Sequence, residues 1–173
     1  DGTRTAGKAK PSTELGMHLF IYRERPDVCA VVHAHPPYAT GFAVARIPLD
    51  RPVLPEVIVG LGEIPLAPYA TPSTAEVAES LRPHVKTAAA VLLAGHGVVT
   101  WGATLEEAYY RMEKVEHAAQ IVFVARMLDG EIALTGAELK KLRAISPASY
   151  GREVPPSSRR PVRSRHLPSA RRS

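Results

Sequence analysis

The feature that most constrains this chain is the stretch Ala30–Pro37, which reads Ala-Val-Val-His-Ala-His-Pro-Pro. Its apolar run is typical of a buried β-strand, and the two prolines end that strand. Because strand side chains alternate between the two faces of a sheet, His33 and His35 are expected to leave the same face. Two adjacent imidazoles can each offer a nitrogen to one metal ion at about 2.0–2.1 Å. The stretch therefore predicts a pair of metal ligands at the rim of a sheet.

A third histidine completes the pattern. A catalytic zinc site uses about three protein ligands and leaves one position open. His96 is the best candidate, because it follows the apolar run 90–93 and has a glycine on each side, where a strand must turn tightly. From the residues alone two interpretations stay open, a metal centre or histidines that only pack at strand ends.

The rest of the chain alternates between helical and strand patterns. Apolar spacing and N-capping residues predict helices between Thr13 and Arg25, with Ser12 or Thr13 as N-cap, and over residues 38–46, 74–81, 105–128 and 135–142. The apolar face of the longest helix is predicted to contain Leu105, Ala108, Met112, Val115, Ala119 and Val122.

Three further strand patterns interleave with these helices. Strands are predicted over residues 90–94 and 98–101, and a short, proline-containing edge strand over 64–69. Residues 52–59 stay ambiguous. The alternation of strands and helices predicts a single α/β domain with three layers, α/β/α.

The net charge of +5 is concentrated near the C-terminus. Residues 147–173 hold seven of the 22 basic residues and one of the 17 acidic residues, which leaves 15 basic and 16 acidic residues elsewhere. The body has no basic bias, so nucleic acid is an unlikely partner. Residues 146–173 are rich in Pro, Ser and Arg and are predicted to be a disordered basic tail. That tail is interpreted as an inert extension or as an electrostatic arm for RNA or anionic lipid.

Cysteine content and hydropathy indicate the compartment. Cys29 lies inside an apolar run, where it is predicted to be a small buried side chain, and it has no disulfide partner. No apolar run approaches the roughly 18 residues of a membrane helix, and no secretory signal opens the chain. We expect a cytoplasmic protein with no membrane partner.

Four motifs resemble the class II aldolase family of sugar-phosphate enzymes, typified by L-fuculose-1-phosphate aldolase. They are the Lys-Pro-Ser-Thr-Glu motif at 10–14, the stretch 25–35 that ends in His-Ala-His, Ala-Pro-Tyr-Ala-Thr at 67–71 and Leu-Leu-Ala-Gly-His-Gly at 92–97. The resemblance covers residues 1–145, in the family's order and with similar spacing. It identifies this part as a class II aldolase-like domain of three-layer α/β/α type.

The resemblance implies a role for each motif. Glu14 matches the catalytic acid/base, and Ser12 and Thr13 match residues that help to bind substrate phosphate. A helix N-terminus also favours an anion, although Glu14 could equally be a first-turn acid stabilised by the helix dipole. The residues that match the family's Zn²⁺ ligands are His33, His35 and His96.

The implied activity is that of a zinc-dependent aldolase, a carbon–carbon lyase. It would cleave a short ketose phosphate similar to L-fuculose 1-phosphate into dihydroxyacetone phosphate and an aldehyde. Glu14 favours this activity over an L-ribulose-5-phosphate 4-epimerase, which more often has Asp there. A dehydratase of a phosphorylated thio-sugar and a non-catalytic, adducin-like interaction domain are further alternatives. The resemblance also implies a ring-shaped homotetramer with active sites between subunits.

The chain departs from the family pattern in two places. Members normally carry several dozen residues before this point, including a Gly-Asn loop that completes the phosphate site, so the chain looks N-terminally truncated. A tyrosine donated across a subunit interface protonates the leaving group, and its position falls near Leu54. Of the other polar residues, His18 is interpreted as a packing residue or as one that orients Glu14, Tyr69 as pocket-lining, and Glu116 as part of a solvated helix face.

Overall fold

A four-stranded mixed sheet with helices on both faces is seen in a computed structural model, which describes residues 2–150 and the side chains of residues 2–145. The strands are β1 (Ala30–Ala34), β2 (Leu66–Ala67), β3 (Ala90–Leu93) and β4 (Gly97–Gly102). The helices are α1 (Leu15–Glu24), α2 (Pro37–Val44), α3 (Pro55–Gly60), α4 (Ala75–Leu81), α5 (Leu105–Met127) and α6 (Gly136–Tyr150). The strand order is β1-β4-β3-β2, with β4 antiparallel to both neighbours and β2 parallel to β3 at the edge.

Two hydrophobic layers cover the two faces of this sheet. Alternate side chains of β3 and β4 divide between the faces, because a strand has period two. Val91, Val99 and Trp101 pack with α1 and α4 on one face. Leu92 and Val98 pack with α2 and α5 on the other. The predicted three-layer α/β/α architecture is therefore confirmed.

The local signals at helix starts were mostly reliable. Thr74, Thr104 and Thr135 each accept a backbone N–H two or three residues ahead, as N-cap side chains do. The predicted edge strand is present but covers only β2. The ambiguous residues 52–59 contain most of α3, which begins at Pro55.

The start of α1 differs from its prediction. Glu14 occupies the N-cap position, not Ser12 or Thr13, and no side chain caps the helix. Instead the Ser12 hydroxyl accepts the Glu14 N–H at 3.1 Å and the Ser12 carbonyl accepts the Leu15 N–H at 3.2 Å. A serine side chain that bonds nearby backbone in this way favours a turn over a cap. The Glu14 carboxylate is consequently available to a partner outside α1.

Two burial predictions are wrong. Cys29 is exposed, because the extended chain before β1 alternates and buries Val28 and Ala30 instead. Leu105, the first residue of α5, is 63% exposed. The other five residues predicted for this face of α5 are buried.

The C-terminal part extends further as helix than the sequence indicates. α6 continues to Tyr150, past its predicted end near Leu142. Most of the predicted tail, residues 151–173, lies outside the described residues. Within residues 2–150, none of the helices combines the length and the apolar content needed to cross a bilayer.

Candidate metal centre

The histidines, which are distant in sequence, come together at one end of the sheet. β1 runs antiparallel to β4, with His33 opposite Val99 and Ala34 opposite Val98. β3 and β4 form a hairpin whose turn contains His96. The C-terminal end of β1 therefore lies beside this turn, although the two segments are some sixty residues apart in sequence.

The three imidazoles form a nearly equilateral triangle. Their ring centroids are 4.9 Å apart for His33 and His35, 4.8 Å for His33 and His96, and 4.9 Å for His35 and His96. Each offers one ligand nitrogen, and these atoms all lie within 4.8 Å of one another. Three neutral nitrogen donors suit zinc, so this cluster could hold a divalent ion and leave a position open.

Hydrogen bonding and burial favour the metal-binding form of these rings. His33 Nδ1 lies 2.8 Å from the Val98 carbonyl, to which its N–H donates, so Nε2 is left for a metal. Burial lowers the pKa of His33, and the neighbouring His96 and His35 lower it further. Burial also lowers the pKa of His96, while the Glu14 charge acts in the opposite direction. Both rings are thus biased towards the neutral state that ligates metal.

The glycine after His96 is required by close packing. A Cβ atom on Gly97 would lie 2.3 Å from His35 Cδ2 and 2.6 Å from the Ala34 carbonyl oxygen. Any side chain here would displace His35 from the cluster. Gly95, on the other side, has a φ of +70°, which glycine adopts without strain. The tight turn predicted around His96 is present.

Glu14 lies near enough to this cluster for its charge to act on the pKa of His33 and of His96, in the raising direction, and Ser73 holds its side chain. Its Oε1 accepts the Ser73 N–H at 2.7 Å and the Ser73 hydroxyl at 3.2 Å. Ser73 precedes α4 and has a φ of 66°. Nothing local in the sequence indicates this contact between Ser73 and the start of α1.

Ser12 and Thr13 lie at the start of α1, directly before Glu14, and both are exposed. His18, one turn further on, is half-buried, and burial lowers its pKa against the opposing effect of the Glu14 charge. Leu54 is the N-cap residue of α3 and has no group that could donate a proton. The structure therefore brings the three predicted histidines together, and it places the exposed hydroxyl groups of Ser12 and Thr13 directly before Glu14 in the chain.

Comparison with known proteins decides the family. The profile of the Class II Aldolase and Adducin N-terminal domain matches residues 1–123. This chain belongs to the class II aldolase and adducin family. The resemblance seen in the four sequence motifs is thereby confirmed.

Several relatives of this family member carry named activities. A 3-oxo-tetronate 4-phosphate decarboxylase of Escherichia coli K12 is 37% identical over 150 residues, which are 83% of this chain and 69% of the relative. A 5-deoxy-D-ribulose 1-phosphate aldolase of Bacillus thuringiensis is 34% identical over 88% of this chain and 71% of its own length. A solved L-fuculose 1-phosphate aldolase superposes with a TM-score of 0.71 at 35% identity, over 79% of this chain and 64% of that chain. The chain therefore spans about two thirds of the length of these relatives.

Glu116 has a role in this class II aldolase fold that differs from the prediction of a solvated face. Its Oε1 accepts the Tyr38 N–H at 3.0 Å and its Oε2 accepts the Ala39 N–H at 2.8 Å. These amides belong to the first turn of α2, which starts two residues after His35. The contact between Glu116 and Ala39 joins residues 77 positions apart, so no sequence pattern could have shown that Glu116 binds the start of α2.

Proposed function

We propose that this chain is the zinc-binding catalytic domain of an aldolase that cleaves a short ketose phosphate, similar to L-fuculose 1-phosphate, into dihydroxyacetone phosphate and an aldehyde. The observation that carries the proposal is the triangle of His33, His35 and His96 with the Glu14 carboxylate beside it. Two relatives named above are aldolases of sugar 1-phosphates. The presence of all three histidines and the carboxylate also favours an enzyme over a non-catalytic, adducin-like domain.

In this proposal the three histidines hold Zn²⁺, which would serve as a Lewis acid that polarises the substrate carbonyl. The hydroxyl group on the departing carbon gives its proton to solvent, the carbon–carbon bond breaks so that its electron pair stays on the ketone fragment, and an aldehyde leaves. Glu14 delivers the proton to that fragment. Because Ser73 bonds Oε1, the Oε2 atom of Glu14 is the one left to exchange this proton.

The start of α1 would position the phosphate. Ser12 and Thr13 are exposed there, and the hydroxyl hydrogen of Ser12 stays available because that oxygen serves as an acceptor for the Glu14 N–H. The positive end of the α1 helix dipole also attracts an anion. Fixing the phosphate beside Glu14 would hold the reacting carbon within reach of the carboxylate.

Replacing His96 tests the proposed metal centre. His96→Ala should lose most of its zinc and should release no dihydroxyacetone phosphate from candidate ketose phosphates, because two histidines hold zinc weakly. Zinc is measured by atomic emission and the ketone phosphate by a coupled reductase assay. His117→Ala removes an exposed histidine from α5 and should keep both signals. Full zinc occupancy in the His96→Ala protein would show that the third ligand is misassigned.

A second candidate function is decarboxylation of a 3-oxo sugar acid phosphate. The relative with this activity is 37% identical to the chain. Both reactions break a carbon–carbon bond next to a ketone phosphate, and they differ in whether an aldehyde or carbon dioxide leaves. Incubation with 3-oxo-tetronate 4-phosphate should separate them, since only a decarboxylase would release carbon dioxide and dihydroxyacetone phosphate in equal amounts.

A further inference from the structure

We propose that Arg46 and Tyr69 form an anion-binding wall of this active site, and that it takes a carboxylate group of the substrate. This inference rests on the proposed function, because it assumes that the end of the sheet that carries His33, His35 and His96 is a sugar-phosphate site. Among the candidate substrates it favours sugar acid phosphates, the class of the second candidate function, over a ketose phosphate without a carboxylate. In decarboxylation the carboxylate would leave as carbon dioxide, and in aldol cleavage it would leave with the aldehyde fragment.

The guanidinium group of Arg46 lies against the backbone next to His96. Its two terminal nitrogens are 3.1 and 3.2 Å from the position that a Cβ atom on Gly95 would occupy. The Gly95 N–H donates to the Ala43 carbonyl at 3.0 Å, which ties the end of α2 to the turn that carries His96. The positive charge is thus held next to Gly95, the residue that precedes the proposed metal ligand His96.

Backbone and ring contacts give this side chain a defined position. Arg46 has a φ of 60°, a left-handed conformation that side chains other than Asn, Asp and Gly seldom adopt. Its guanidinium carbon lies 5.5 Å from the centroid of the Tyr69 ring, within the range of a cation–π interaction. Tyr69 follows the C-terminal end of β2, which runs parallel to β3, so the wall lies at the same end of the sheet as the turn that carries His96.

The charge of Arg46 has no anionic partner in the part of the chain that the structure describes. Other arginines of the domain form ion pairs with carboxylates, namely Arg25, Arg51, Arg82, Arg111 and Arg126. Among residues 2–145, the Arg46 guanidinium lies against the backbone at Gly95 and over the Tyr69 ring and forms no ion pair. An arginine fork is well shaped to bind a carboxylate through two hydrogen bonds.

The position of Arg46 also fits a substrate with two anionic ends. α1, which carries Ser12 to Glu14 at its start, packs on one face of the sheet with α4. α2, which Arg46 follows, packs on the opposite face with α5. A substrate anchored by its phosphate at the start of α1 would extend across the histidines towards Arg46, where a carboxylate finds a cation.

Two matched probes test this inference. 4-Phosphoerythronate and erythritol 4-phosphate have the same four carbons and the same phosphate, and they differ only in a carboxylate that replaces a hydroxymethyl group. Their dissociation constants are measured by titration calorimetry on the zinc-loaded chain. We expect 4-phosphoerythronate to bind roughly 10- to 100-fold more tightly than erythritol 4-phosphate, because its carboxylate gains a charge-assisted hydrogen bond from Arg46.

Arg46→Gly should abolish this preference and leave the affinity for erythritol 4-phosphate unchanged. Glycine suits a φ of 60°, so the turn should keep its conformation, and thermal denaturation checks that the variant folds. Arg46→Lys keeps the charge without the fork and should retain part of the preference. Arg82→Ala is the matched control, because Arg82 also faces an aromatic ring, that of Phe20, but lies beyond the far end of α4.

The outcomes separate this inference from the proposed function. Equal affinity of the two probes for the unmodified chain, or a preference that survives in Arg46→Gly, overturns the carboxylate wall and leaves the sugar-phosphate site standing. Equal weakening of both probes in Arg46→Gly would assign Arg46 to the phosphate and would also overturn the inference. If neither probe binds the zinc-loaded chain, the proposed sugar-phosphate site fails and the wall fails with it.

Discussion

Glu14 has two functions in the proposed site, which a single substitution can separate. It links α1 to the turn before α4 through Ser73, and it is the proposed proton carrier. Glu14→Gln keeps an oxygen for the Ser73 bonds but cannot exchange a proton. We expect zinc content to stay constant, because three histidines hold the ion, while turnover falls by about 10²- to 10⁴-fold. Zinc content and turnover are measured on the same sample.

Ser73→Ala provides the control for this substitution. It removes the hydroxyl bond at 3.2 Å but keeps the backbone N–H bond at 2.7 Å, so it should reduce turnover far less than Glu14→Gln. If Glu14→Gln has unchanged turnover and a stability change of only a few tenths of a kcal/mol, Glu14 is merely a residue at the helix start.

At the scale of secondary-structure elements, α5 fixes the start of α2 and with it the segment after His35. The Glu116 carboxylate accepts two amides of α2 at 2.8 and 3.0 Å. Glu116→Ala leaves those donors without a partner, so it should cost about 1–3 kcal/mol of stability. It should also weaken zinc binding by about 10- to 100-fold, as loss of a residue supporting a metal ligand does. Chelator competition and urea unfolding measure the two effects.

The matched control for Glu116 is Glu113 on the same helix. Glu113 is exposed and, among the described side chains, bonds the Tyr109 hydroxyl alone, at 2.9 Å, so Glu113→Ala should leave zinc affinity unchanged. A zinc affinity of Glu116→Ala equal to that of Glu113→Ala would show that α5 does not position the metal centre.

At the scale of the whole molecule, exposed apolar side chains near the end of α5 favour self-association. Phe123 and Val124 are 46% and 48% exposed, Met127 and Leu128 are each 72% exposed, and Ile132 is 90% exposed. Exposed apolar side chains that lie close together in the chain often contact another protein. With the tetramer implied by the family resemblance, we expect a homo-oligomer in light scattering. Met127→Glu should shift it towards monomer, and Leu105→Glu, at the other end of α5, should not. A monomeric unmodified chain would contradict the expectation.

Much of the fold was predictable because its signals are local. The apolar runs of β3 and β4, which are buried at every position, the capping threonines and the apolar face of α5 depend on residues a few positions apart, so the sequence displays them directly. Ser12 and Thr13 were wrongly predicted as caps because capping and turn formation use the same side chains, and the choice depends on where the Glu14 carboxylate goes.

For the candidate site, the sequence by itself determined which side chains could bind metal and that His33 and His35 share a strand face. The tertiary structure alone decided that His96 joins them, that Ser73 holds Glu14, that Glu116 fixes α2 and that Arg46 faces Tyr69. These contacts join residues 23 to 78 positions apart. They depend on how strands pair and helices pack, and side-chain spacing along the chain does not encode them.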